Sequence, residues 1–185
     1  MHPSEQARLE AAFGYSGADI LRNRAGKLSD AQAAKIRTER YQLFYYVIGA
    51  LALIGILTLF SFRPNGDEMI AILIGLGIPA GVAYWLMIRP VEQVLRAGEV
   101  QRRRGQVYLS VPGMGYMTFN PPAPEDKLAQ ALQAYGWANR PGMYMLLIDD
   151  VLCRLTLQQH EALVPGLYTV YYVPKLNQIV AVEAE

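Results

Sequence analysis

With 185 residues and a formal net charge of +1, the chain lacks the basic excess of a dedicated nucleic-acid binder, and no nucleic-acid partner is expected. Its single cysteine, Cys153, excludes an internal disulfide and a disulfide-stapled scaffold. With only two histidines, and no H-x-x-x-H or C-x-x-C spacing, it offers no zinc set, and no metal or other cofactor is expected.

In chain order, Met1 to Glu10 is polar and has no apolar stretch of the signal-peptide kind, so no cleavable signal is expected and the first apolar span serves as the targeting signal. A short amphipathic helix is predicted from near Ser16 to Gly26, with Ile20 and Leu21 on its buried side. Ser29-Asp30-Ala31-Gln32 has the form of a capping box, in which a serine oxygen accepts from an early helix amide and the glutamine reaches back. From Asp30 no Gly or Pro occurs until Gly49, so this helix is expected to run unbroken into the apolar stretch that follows.

That stretch, residues 43–62, and a second, residues 69–88, are each long enough to cross the ~30 Å hydrocarbon core of a bilayer as a helix. The intervening Arg63-Pro64-Asn65-Gly66-Asp67-Glu68 suits a tight turn, so the two spans are expected to form a hairpin. Neither span holds an Asp, Glu, Lys, Arg or His, the groups that mark ion paths and proton relays inside membranes. Lys and Arg concentrate before the first span and after the second, which by the positive-inside rule puts both termini in the cytosol. Tyr41, Tyr45 and Tyr46 then fall level with Tyr84 and Trp85 as one interfacial belt. Lys35, Arg37 and Arg40 on one flank, and Arg102, Arg103 and Arg104 on the other, are the candidate membrane-surface contacts. In the second span Gly77 and Gly81 form a G-x-x-x-G; they are candidates for packing against Gly49 and Gly55 of the first span, or for self-association. Pro79 is expected to remove a backbone bond and kink the helix.

After Arg89-Pro90 the composition becomes that of a soluble domain. Alternation of Val107, Leu109 and Val111 with polar residues predicts a half-buried strand. Residues 112–141 read as an insertion, with a Gly-rich loop at Pro112 to Tyr116 and a helix over 124–135 that Gly136 ends, carrying Leu128, Leu132 and Tyr135 on one face. Gly142 to Ile148 and Val151 to Thr156 form a predicted hairpin across Asp149-Asp150. Thr156-Leu157-Gln158-Gln159 repeats the capping-box form, and a second hairpin pairs Leu167 to Val173 with Gln178 to Glu183. The expected organisation is a cytosolic helical arm (1–41), a transmembrane hairpin (42–89) and a cytosolic domain (90–185) built as a small SH3-like or OB-like β-barrel, an α+β membrane protein.

No catalytic constellation stands out. Alternation puts Cys153 on the core face and His160 on a surface helix, and the Gly-rich loop lacks both the third Gly of a dinucleotide fingerprint and the Gly-Lys-Ser/Thr of a P-loop. The arm with Asn23-Arg24-Ala25-Gly26-Lys27-Leu28-Ser29, the hairpin, and the terminal Gly166-Leu167-Tyr168-Thr169-Val170-Tyr171-Tyr172-Val173-Pro174 strand pair together resemble uncharacterised bacterial proteins with two transmembrane helices and a small C-terminal β domain. The resemblance implies a bacterial plasma (inner) membrane and lends no active site. The expected function is a multi-pass inner-membrane anchor that presents the barrel as a protein-interaction or assembly module, with the lipid bilayer and a protein partner, or a second copy, as its contacts. Competing expectations are a subunit of a small oligomeric channel or transporter and a membrane-bound enzyme.

Overall fold

The computed structural model describes residues 3–62, 65–111, 118–135 and 144–185. His2, the turn residues Arg63 and Pro64, the Gly-rich Pro112 to Tyr116, the helix stop at Gly136 and the strand start at Gly142 lie outside the described residues. In chain order the elements are α1 (Pro3–Phe13), α2 (Gly17–Arg24), α3 (Asp30–Phe62), α4 (Gly66–Ala83), a π-helical turn (Tyr84–Ile88) and α5 (Arg89–Ala97). There follow β1 (Gln101–Val111), β2 (Thr118–Asn120), α6 (Glu125–Tyr135), β3 (Tyr144–Ile148), β4 (Val151–Leu155), α7 (Leu157–Ala162), β5 (Leu167–Val173) and β6 (Gln178–Ala184). Contacts divide the chain into a helical unit, Asp30–Ala97, and a sheet unit that joins Met1–Ser29 to Gly98–Glu185.

In the sheet unit the strands run in the order β4-β3-β1-β5-β6, with β2 paired to the far end of β1. Every pairing is antiparallel, and the sheet curls into a half-barrel whose end strands β4 and β6 approach each other. The run Tyr144-Met145-Leu146-Leu147-Ile148 is apolar at every position because both faces of β3 are covered. Met145 and Leu147 pack with Leu152, Phe119 and Ala131 under α6, with Leu128 and Leu132 against the same cluster. The side chain of Tyr135, expected on that face, lies outside the described residues. Leu146 and Ile148 point the other way, into the curl, and Leu146 lies opposite Cys153. The β3–β4 connection is Asp149-Asp150, as the sequence predicts; Asp149 takes φ 51°, a left-handed value that aspartate tolerates.

The first 29 residues, which the sequence reading sets in a separate arm, gather with the sheet. Leu9, Phe13 and Tyr15 are buried, and the Tyr15 hydroxyl donates to the Val182 carbonyl of β6. On α2, Ile20 is buried as expected but Leu21 is exposed. Adjacent helical residues stand about 100° apart, so the face through Ile20 continues three residues on, at the buried Asn23.

In the helical unit α3 is unbroken from Asp30 to Phe62, as the absence of early Gly and Pro predicts. The turn is shorter than expected: Gly66 already opens α4, and the Asn65 N–H donates to the Glu68 carboxylate at 2.9 Å, the back-reaching half of a capping box. Pro79 lies inside α4. Helical structure continues past Arg89-Pro90 to Ala97, beyond the composition change at which the sequence reading begins the soluble domain. The π-helical turn includes Leu86, the residue whose carbonyl the Pro90 ring meets in a regular α-helix, so the wider turn relieves that conflict. Phe44 and Tyr84 rings meet edge to face at 6.2 Å, setting the start of one apolar stretch beside the end of the other. By length and composition α3 and the helix from Gly66 to Ala97 are each able to cross a membrane, and the most apolar stretch of each is almost wholly unburied.

Candidate functional site

The strongest concentration of charge lies on the sheet unit. Extended backbone sends successive side chains to opposite faces, so the run Arg102-Arg103-Arg104 on β1 is divided by the pleat. Arg102 is opposite Tyr171 and Arg104 opposite Thr169 on β5, and both arginines line a groove of about 540 Å³ with Arg24 of α2. Arg103 is on the other face, with its Nε 3.9 Å from Asp150 Oδ1. The three arginines therefore do not form one continuous patch.

Carboxylates from the end of the chain enter the groove. Arg24 donates from Nη2 to Glu183 Oε1 at 2.5 Å and from Nε to Oε2 at 3.4 Å, while the Tyr171 hydroxyl donates to Oε2 at 2.7 Å. Arg104 donates from Nε to Glu185 Oε2 at 2.7 Å, with Nη2 at an ion-pair distance of 2.5 Å from the same oxygen, and Thr169 Oγ1 donates to Oε1 at 2.9 Å. The Arg104 guanidinium and then the Thr169 hydroxyl hold the Glu185 carboxyl below the usual carboxylate range. Among the described residues Arg102 has no carboxylate within ion-pair distance.

His160, expected on an open helix surface, is instead half-buried. Thr156 caps α7 by accepting from the Gln159 N–H at 3.2 Å, while Gln159 Oε1 accepts from the Thr156 N–H at 2.9 Å, which fixes the helix start. The His160 ring then packs on Tyr144, centroids 4.9 Å apart, with Nε2 2.8 Å from the Ser110 carbonyl oxygen. A carbonyl only accepts, so Nε2 carries a proton in this contact. A depression of about 340 Å³ beside it is lined also by Asn120 and Glu161. Cys153 is fully buried, and that burial pushes its thiol up to about 12, so it remains a protonated, shielded thiol.

In the helical unit Lys35, Arg37 and Arg40 are all exposed on α3. Arg37 donates to Glu92 of α5 from Nε at 2.8 Å, and the Tyr41 hydroxyl donates to the same carboxylate at 2.9 Å. Of the glycines singled out for helix packing, Gly55 makes a close approach: a Cβ there meets Leu76 Cδ1 at 2.5 Å. Gly49, Gly77 and Gly81 have open space where a Cβ would stand.

Sequence reasoning missed Arg24, Glu183, Glu185 and Glu92 as members of these clusters. The period-2 spacing of Glu183 and Glu185 matches that of Arg102 and Arg104, but β5 separates the two strands, and only sheet order brings the pairs together. Compared with protein-family models, curated proteins and solved structures, the chain matches none.

Proposed function

We propose that the chain is a bacterial inner-membrane anchor whose helical hairpin lies in the bilayer, both termini cytosolic, and whose half-barrel is an interaction or assembly module. The observation that carries this reading is the exposure of apolar side chains along α3 and α4, such as Phe60 at 82%, Leu73 at 65% and Ile78 at 63%. Such a surface needs an apolar cover, and a bilayer supplies one over the apolar stretches of both helices. In this reading the half-barrel belongs with the small SH3-like or OB-like barrels, and Lys35, Arg37, Arg40, Arg102, Arg103 and Arg104 contribute attraction to anionic headgroups of about 1 kcal/mol each where they come near the surface. Confinement at the membrane raises the effective concentration of module and partner.

The test is brief crosslinking in cells followed by affinity purification of the full-length protein in mild detergent and mass spectrometry. A stoichiometric companion supports the module reading; a lone monomer, reproducibly, overturns it. Orientation is tested separately with Asn65→Cys in a Cys153→Ser background, which should react with an impermeant maleimide added to spheroplasts. A second reading, self-association as part of a small channel or transporter, is favoured by the open space over Gly77 and Gly81, which leaves that face free for another helix. A defined homo-oligomer from the same purification selects it.

A further inference from the structure

The arginine groove of the sheet unit holds more donors than its carboxylates use. Each guanidinium offers five N–H donors in a planar fork. Glu183 and Glu185 occupy the Nε and Nη2 edges of Arg24 and Arg104, which leaves the Nη1 side of each outside those ion pairs. Arg102 brings a third guanidinium to the same groove with no carboxylate on it among the described residues. Three guanidiniums against two carboxylates leave one net positive charge within this side-chain set.

The carboxylates also order the groove. Glu183 is tied to Tyr171 and Glu185 to Thr169, so the arginines they grip come from α2 and β1 to fixed places over β5 and β6. Arginines ordered before a ligand arrives lose less side-chain freedom when it binds. The lining does not suit the alternatives. Tyr171 is buried at 1% exposure and offers no stacking platform for a nucleobase, and the surplus positive charge opposes a cation.

We propose that this groove binds a phosphate-type oxyanion, with Arg102 as the principal ligand and the outer donors of Arg24 and Arg104 closing on it. Arginine forks match the paired oxygens of a tetrahedral phosphate, and such charge-assisted bonds are about twice as strong as neutral ones. The phosphate has two possible sources, a free anion or a phospholipid headgroup. Free-anion binding stands without the bilayer; the headgroup source rests on the membrane reading above.

The test uses the full-length protein in dodecyl maltoside micelles, which carry no phosphate, titrated with inorganic phosphate while the arginine Nε–H resonances are followed by NMR. Saturable shifts at Arg102 and Arg104 are expected. Arg102→Ala should weaken binding about tenfold, and Arg102→Lys, which keeps charge but loses the fork, should fall between. Arg103→Ala, on the opposite face of the pleat, should stay within about twofold. Nanodiscs with phosphatidylglycerol separate the sources. If a headgroup already fills the groove, the apparent phosphate affinity falls and Arg102→Ala abolishes that difference; if the affinity is unchanged, the ligand is the free anion. The proposal is overturned by equal losses for Arg102→Ala and Arg103→Ala, or by no saturable phosphate binding together with no response to phosphatidylglycerol. Membrane insertion is read independently by carbonate extraction, so failure of the groove and failure of the anchor remain distinguishable.

Discussion

The sheet unit and the helical unit use the same apolar residue types in opposite ways. Leu147 is at 0% exposure between β3 and α6, whereas Leu73 stands at 65% on the outside of α4. In water the first arrangement is favoured by about 25 cal/mol for each Å² of apolar surface removed from solvent, and the second forfeits that gain. The sheet unit makes its own apolar interior, whereas the two long helices leave an apolar side uncovered, which in the function proposed above a bilayer covers. In lipid, the force joining helices is close packing, and the tight contact of Gly55 on Leu76 is of that kind.

The sharpest way to break this comparison is to cut both leucines back. Leu147→Ala should destabilise the sheet unit by between about 2 and 5 kcal/mol, through lost burial and the cavity left behind. Leu73→Ala should leave that unit within about 0.5 kcal/mol of the parent. Cys153 provides the readout, since its buried thiol is alkylated only when the sheet opens. Leu147→Ala should speed alkylation by more than tenfold and Leu73→Ala should not; equal acceleration would mean that the two regions are not energetically distinct.

Reversing the solvent preference is the next test. Ile74→Arg, at an exposed apolar position of α4, should oppose membrane insertion by about 2.5 to 3.5 kcal/mol and lower the carbonate-resistant fraction. Val111→Arg, at the 46% exposed end of β1, should leave that fraction unchanged. If both behave alike, the surface of α4 has no special need of lipid.

How much of this contrast is visible in the residues depends on the range of the interactions. The long α3, both hairpins and the helix over β3 are set by local periodicity and capping, and the sequence predicts them within a few residues. The joining of residues 1–29 to β6 is not legible, because it rests on a few side chains, Leu9, Phe13 and Tyr15, spread along a mostly polar segment. The helical continuation past Pro90 is concealed by proline itself, a residue that in most contexts ends a helix and here follows a π-helical turn. Of the candidate groove, the placing of Arg102 and Arg104 on one face follows from strand alternation alone. Its completion by Arg24, Glu183 and Glu185 requires the strand order, which no local pattern encodes.

A smaller effect sharpens the comparison within the hairpin. Gly55→Ala places a methyl group 2.5 Å from Leu76 Cδ1, a clash that the flexible end of Leu76 relieves in part, so a loss of about 1 kcal/mol is expected. Leu76→Ala in the same chain should remove most of that loss, and the coupling between the two changes measures the contact. Gly77→Ala and Gly81→Ala meet open space and should not weaken the isolated hairpin. A loss confined to oligomeric preparations would show that a second helix occupies that face.

The smallest effect concerns the N-terminal residues that the sheet unit captures. Ser16 caps α2: its N–H and hydroxyl donate to the Asp19 carboxylate, each at 2.8 Å, and its hydroxyl oxygen accepts from the Asp19 N–H at 3.4 Å. Burial alone raises the Asp19 carboxyl, but hydrogen bonds from Ser29 and Ser16 outweigh it and hold the group below its ordinary value. A carboxyl depressed in the folded state binds its proton more readily when unfolded. Its contribution is therefore full above the unfolded value of about 3.9 and is lost as pH falls through the lower folded value. Asp19→Asn, which removes the charge at every pH, should cost about 1 kcal/mol at pH 7, the usual worth of a cap. Amide exchange over α2 should report that difference at neutral pH and show it shrinking below about pH 4, where the native carboxyl also becomes neutral. A difference that persists undiminished in acid would assign the stabilisation to side-chain shape. If exchange over α1 and β6 remains unchanged while α2 loosens, the Tyr15 bond to Val182 and the burial of Leu9 and Phe13 are sufficient to keep the N-terminal segment on the sheet.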